Sequence, residues 1–351
     1  MNKNRSNENK KLNAGDWVEV LGREEILATL DEKGELENVP FMPEMVQFCG
    51  QKFRIFKRAD KTCDPAHEPW SIRRVRNCVH LEAVRCNGDG HDGCQAGCLI
   101  FWNEGWLKRG DNTMVFARDL RGPRPASGRC AVENIWGASQ KKDADGEIVY
   151  SCQATELRNF TSAMSPLDPR QYVRDLLSGN LSGGLARDSR SGRALEMILS
   201  LMRLVYALAV SAASHYIAYP FIAGTQEKTP VENLNLLPGE LVQVRSKEEI
   251  MATLDKYHRN RGLLFDGEMI PYCGGIYRVL RRVNHIIDEK TGKMVNMKRA
   301  CIVLEGVVCR SDFHRLCPRA IYPYWRENWL TRVVNQPAQP SEQSLAETCE
   351  K

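Results

Sequence analysis

The sequence predicts a mostly β chain of α+β class, in which one small curled sheet or barrel is built twice around a helical spacer. Three observations predict it. A long stretch of residues recurs in register, each copy alternates polar and apolar residues as strands do, and one Cys/His spacing returns with the register.

Residues 15–30 read GDWVEVLGREEILATL, and residues 239–254 read GELVQVRSKEEIMATL. The offset of 224 holds without a gap through Cys49-Gly50 against Cys273-Gly274, and on through Phe53–Arg58 against Tyr277–Arg282. One deletion then makes it 223, which sets Cys78–Glu82 against Cys301–Glu305 and Phe101–Leu107 against Tyr324–Leu330. Self-similarity at a fixed offset is the signature of a repeated supersecondary unit. The implied organisation is a tail at 1–14, repeat one at 15–109, a loop and helical spacer at 110–238, repeat two at 239–333 and a tail at 334–351.

Within each copy, Asp16–Val20 and Glu240–Val244 alternate as half-buried strands do. The EEILATLD stretch has apolar residues at helical spacing, with Ser246 a cap in the second copy. Lys52–Arg58 and Ile276–Arg282 read as strands, Asp288–Gly292 as a turn, and Cys301–Val308 as a buried strand. Short strands between turns suggest small barrels, and the order of these matches the SH3-like pattern. In the spacer, Arg121–Arg129 is a Pro/Gly/Arg-rich loop, and Tyr172–Leu177 and Ala194–Ser214 are expected helices. After Arg203 no charge follows until Glu227, which raises a membrane span. His215, Tyr216, Tyr219 and Pro220 argue instead for a helix packed on protein, with membrane contact by residues 195–222 the lesser alternative.

The chain has 351 residues, 42% of them apolar, enough to bury a core. Its opening is Asn, Lys and Glu without an apolar run, so no secretory signal is expected and a cytoplasmic setting follows. There the thirteen cysteines stay reduced, as metal ligands or buried thiols.

Cys78-x7-Cys86-x4-His91-x2-Cys94 recurs as Cys301-x7-Cys309-x4-His314-x2-Cys317, although the loops between differ: NGDGHDG against RSDFHRL. Thiolates with imidazole are the donor set of structural zinc, so two structural zinc ions per chain are expected on these eight residues. A straight strand from Cys78 to Cys86 would hold them about 26 Å apart at about 3.3 Å per residue. Either the strand bends, or Cys49, Cys273 or Cys98 completes a site. The competing reading is buried thiols. Cys63 and His67, without counterparts, are expected in a surface loop.

Trp102 and Trp106, and Tyr324, Trp325 and Trp329, recur in FWNEGWL and YWRENWL. They read as core, or at helical spacing as the face of a partner-binding groove. No G-x-G-x-x-G, P-loop, G-x-S-x-G or H-E-x-x-H is present. The expected function is a zinc-braced tandem SH3-like binding or scaffold protein that holds a partner protein. Nucleic-acid binding is the alternative, through Arg278, Arg281, Arg282, Lys298, Arg299 and Arg319 of repeat two. Repeat two carries 17 Lys/Arg against 11 Asp/Glu, whereas repeat one carries 13 against 16. A role shared by the fold would make both basic. A metal-dependent enzyme with an open metal position is the third reading.

MPEMVQFCGQKFRIFKRADKTCD, HDGCQAGCLIFW and CPRAIYPYWRENWL resemble a bacterial family of duplicated Cys-rich, SH3-like-domain proteins without an established activity. The resemblance extends over both copies and PFIAGTQEKTP, and departs at the apolar Leu204–Val210. It implies a bacterial cytosolic setting and no mechanism.

Overall fold

The computed structural model describes residues 11–110, 130–165, 168–181 and 224–333, and single positions at 202, 205, 209 and 222. Strands predominate and the helices are short. The chain divides into two compact units: one drawn from 1–220, 283–299 and 308–323, the other from 221–282, 300–307 and 324–351.

In the first unit Trp17–Val20 lies between two antiparallel neighbours. Trp17 stands opposite Arg54 of Lys52–Arg58, and Val20 opposite Leu107 of Leu107–Arg109. Lys52–Arg58 pairs in turn with Cys78–Leu81, and that strand with Trp102–Asn103. Period-two alternation buries Val18 and Val20 fully, while Trp17 stays 48% exposed. The strand from Lys52 stops at Arg58 because the Asn180 side chain takes over its pairing. Asn180 Oδ1 accepts the Arg58 N–H at 2.8 Å, and its amide donates to the Arg58 carbonyl at 2.9 Å. A separate three-stranded sheet joins Lys61–Asp64, Glu68–Arg74 and Ser162–Met164.

Repeat two orders its strands alike: Met294–Leu304, Ile276–Ile287, Leu241–Val244 and Leu330–Arg332. Leu241 stands opposite Arg278 and Val244 opposite Leu330, the register of repeat one moved by its two offsets. Ile276–Ile287 runs through 12 residues without the break seen after Arg58. The strand expected at Cys301–Val308 instead spans Met294–Leu304.

Buried clamps recur as well. Arg58 donates to the Leu12 carbonyl at 2.7 Å and to Glu104 at 2.5 Å. Arg282 donates to the Leu236 carbonyl at 2.9 Å and to Glu327 at 2.5 Å. Trp106 Nε1 reaches Thr29 Oγ1 at 3.1 Å, and Trp329 Nε1 reaches Thr253 Oγ1 at 2.9 Å. The helix Lys247–Met251 begins with a reciprocal cap: Ser246 Oγ accepts the Glu249 N–H at 3.2 Å, and Glu249 accepts the Ser246 N–H at 2.8 Å.

The aromatic pattern is core and not a helix face. Trp102 lies on a strand and Trp106 in the 3₁₀ turn Glu104–Trp106, with Trp329 in the matching turn Glu327–Trp329. All four tryptophans are fully buried. Phe41 packs edge-on against Trp102 and Trp106, at 6.4 and 5.2 Å, and Phe265 against Trp325 and Trp329, at 6.5 and 5.5 Å. Such pairs are stabilising beyond their buried area, and these indoles present no surface to a partner. Tyr324 is half-buried.

The expected helix Tyr172–Leu177 is the end of Arg170–Leu177. Arg121–Arg129 lies outside the described residues, as does most of 194–214. No helix among the described residues is long and apolar enough to cross a membrane.

His80 sits in the core of the first unit, where Val303 stands in repeat two. It is fully buried and its Nδ1 lies 2.8 Å from the Ile100 carbonyl. Burial pushes its pKa down to about 3, against about 6.5 in an unfolded chain. The folded state therefore binds fewer protons below pH 6.5. Stability is complete above that pH and falls as pH drops towards 3, with a slope of about 1.4 kcal/mol per unit from this one proton. Urea titrations between pH 7 and 4 should show His80→Val losing that component. An unchanged slope would place the proton elsewhere.

Candidate metal centre

The first Cys/His loop closes on itself through backbone bonds. His91 N and Gly93 N donate to the Gly88 carbonyl at 2.9 and 3.0 Å, and Cys94 N donates to the His91 carbonyl at 3.1 Å. Gly88 has φ +85°, and a Cβ there would lie 2.3 Å from the Cys94 carbonyl oxygen. The second loop repeats the frame: Leu316 N donates to the Ser311 carbonyl at 2.9 Å, and Cys317 N to the His314 carbonyl at 3.1 Å. Ser311, Arg315 and Leu316 hold positive φ at the places of Gly88, Asp92 and Gly93. A bulky residue such as Leu316 adopts this region only where its surroundings enforce it.

The loop brings Cys86 and His91 together with Glu44, a residue the sequence reading missed. Glu44 lies in the 3₁₀ segment Pro43–Phe48 and is 3% exposed. Its Oε1 accepts from His91 Nδ1 at 2.5 Å, from Gly90 N at 3.1 Å and from Cys86 Sγ at 3.6 Å. His91 Nε2 faces the Ser151 carbonyl at 3.1 Å. Glu44 Oε2 is buried without a hydrogen-bond partner, a cost that calls for an explanation such as a bound ion. Glu44, Cys86 and His91 offer one donor atom each within 4.8 Å of one another, so they could hold a metal ion. Within the first unit, Cys309 Sγ lies 3.5 Å from His314 Nδ1, and Glu268 stands where the offset places a counterpart of Glu44.

The remaining expected ligands are placed as follows. Cys94 lines the same cavity as Cys86 and His91 but stands outside their close group. Its Sγ instead accepts the Ile287 N–H at 3.4 Å. Cys317 Sγ likewise accepts the Cys63 N–H at 3.1 Å. Cys63, expected in a surface loop, is buried on the strand Lys61–Asp64, while His67 pairs with Asp64 at 2.8 Å. Cys78 belongs to the main apolar core, where burial pushes its thiol pKa far up. The strand does bend, ending at Leu81 before a turn through Ala83 at φ +59°, yet Cys78 stays packed in the core, outside the group of Glu44, Cys86 and His91. Cys301 is buried too, with Arg326 Nη1 at 3.5 Å from its sulfur. Cys49 and Cys273 are half-buried at the ends of matched 3₁₀ segments, and burial raises both thiols.

Of the basic residues of repeat two, Arg319 is buried against Glu289 at 2.6 Å, Arg282 is held by Glu327, and Arg278 neighbours Glu305 at 3.9 Å. Lys298 and Arg299 are exposed. Comparison with protein-family models, with curated proteins and with solved structures finds no match.

Burial raises the Glu44 pKa, but the hydrogen bond and charge of His91 and the backbone N–H of Gly90 outweigh it, and the net shift is downward. In metal-free protein the pair's stabilisation is complete above the unfolded carboxyl value of about 4.3. It is lost as pH falls through the lower folded value. Glu44→Gln should abolish this acid-limb dependence in urea titrations from pH 6 to 3. A variant that keeps the parent's slope would mean that Glu44 is not charged in the fold.

Proposed function

We propose that this chain is a zinc-braced tandem binding protein, in which a duplicated SH3-like module holds a partner protein and a structural ion braces each Cys/His loop. The observation that carries the metal is the buried gathering of Cys86, His91 and Glu44 at the mouth of a loop whose Cys/His spacing and backbone bonds recur at Cys309, His314 and Cys317. Zinc suits thiolate and imidazole donors and contributes to folding directly. The duplication is supported by strand registers, clamps and positive-φ positions that recur at the two offsets. With the tryptophans inside, the docking surface falls to exposed side chains such as Trp17 and Trp136, each 48% exposed. No triad of nucleophile, base and orienting group stands out among the described residues, which favours binding over catalysis.

Elemental analysis of protein purified without chelator should give two zinc ions per chain, with Cys86→Ser and Cys309→Ser each losing one. Cys317→Ser should weaken the thermal unfolding of its own loop more than Cys94→Ser does. Parent protein that retains no zinc after reconstitution would sink the reading.

A further inference from the structure

The last cysteine of each Cys/His loop is fastened to a strand, and the two fastenings are not alike. Cys94 Sγ takes the N–H of Ile287 at 3.4 Å, whereas Cys317 Sγ takes the N–H of Cys63 at 3.1 Å. Position 287 is position 63 moved by the offset of 224, and position 317 is position 94 moved by the offset of 223. The same frame therefore meets an isoleucine in one place and a second cysteine in the other. Cys63 and Cys317 are both buried and both free thiols, and their side chains share a hydrogen bond.

Each sulfur is carried on backbone that is already fixed. Cys63 lies on the strand Lys61–Asp64, opposite Ile72 of Glu68–Arg74. Cys317 N donates to the His314 carbonyl at 3.1 Å, and the Cys317 carbonyl accepts from Ser311 Oγ at 2.6 Å. Ile72, Met164 and Ile321 pack against the pair. Two thiols held in contact by ordered backbone need little movement to bond, which is the geometric requirement of a disulfide. Their burial keeps bulky disulfide oxidants away, so a small hydroperoxide is the oxidant of suitable size.

We propose that Cys63 and Cys317 are a redox modification site, a dithiol that hydrogen peroxide closes into a disulfide joining the repeat-one strand to the repeat-two loop. One thiol breaks the O–O bond and takes one oxygen, giving a sulfenic acid and one water. The other thiol then displaces that oxygen as a second water, and the S–S bond forms. The two sulfurs lose two electrons in all, and the peroxide gains them. The bridge joins residues 254 apart in the chain, and a cross-link over so long a loop constrains the unfolded chain strongly. The oxidised form is therefore the more stable one. At Cys94 the same chemistry stops at the sulfenic acid, because Ile287 offers no second sulfur. The site requires no metal and stands apart from the zinc reading.

The test treats the reduced full chain with hydrogen peroxide, alkylates the remaining thiols after unfolding, and maps the peptides without reductant. A peptide pair linked through Cys63 and Cys317 should appear, lighter by two hydrogens, and dithiothreitol should reverse it. Tm should rise by several degrees as the bridge closes in the parent, and should not rise in Cys63→Ala. Ile287→Cys, which copies the dithiol into the other fastening, should gain a second bridge to Cys94. Zinc content should be the same before and after oxidation. Treated parent in which both thiols remain open to alkylation, or in which Cys317 bridges to Cys309, would overturn the proposal. Zinc released in step with the bridge would place Cys317 on the ion and overturn it as well. A chain that binds no zinc yet forms the bridge would support this site and sink the zinc reading alone.

Discussion

Sulfur as a hydrogen-bond acceptor pins both Cys/His loops, and the first unit depends on it. Cys94 Sγ takes the backbone N–H of Ile287, and Cys317 Sγ takes that of Cys63. Positions 63 and 287 are one offset apart, and positions 94 and 317 the other. Each copy's loop is therefore fastened to a strand contributed by the other copy. An isolated copy would leave its loop sulfur without this donor and its strand without this acceptor. The exchange accounts for a first unit that contains residues 283–299 and 308–323 of the second repeat. Backbone polar groups in a buried setting must be paired, and here thiols supply the partners.

The two loops have diverged in what surrounds that shared bond. Around Cys94 lie Tyr150 and Ile287, with the thiols of Cys86, Cys98 and Cys152 lining the neighbouring void. Around Cys317 lie Cys63, Ile72 and Met164. Burial raises the Cys317 thiol, but the Cys63 thiol, two backbone N–H groups and Arg319 outweigh it and hold it below the usual thiol range. Arg319 is itself buried, held by Glu289. One frame thus carries a thiol-lined cavity in one copy and a thiol pair beside a guanidinium in the other.

Much of the fold was legible because alternation and register are local properties. The strands from Trp17 and Leu241 fall where period-two alternation put them, and those from Lys52 and Ile276 begin where strands were expected. The break after Arg58 was not legible, since its cause is Asn180, 122 residues away. The Trp spacing of four misled because 3₁₀ turns beside strands also bring such residues to one core. At the site, Cys86 and His91 were legible from spacing alone. Glu44 lay within the recurring sequence, in MPEMVQF against GEMIPY, where a Glu holds its place at the offset of 224. That signal was available.

The proposed brace is an ion bound at the first loop by Cys86, His91 and Glu44. Anomalous diffraction from crystals of the full chain, collected on either side of the zinc edge, tests it most directly. A strong edge-dependent peak is expected between Cys86, His91 and Glu44, with the Cys86 sulfur about 2.3 Å away. A cavity without such a peak in zinc-replete crystals, or one filled only by water, would contradict it.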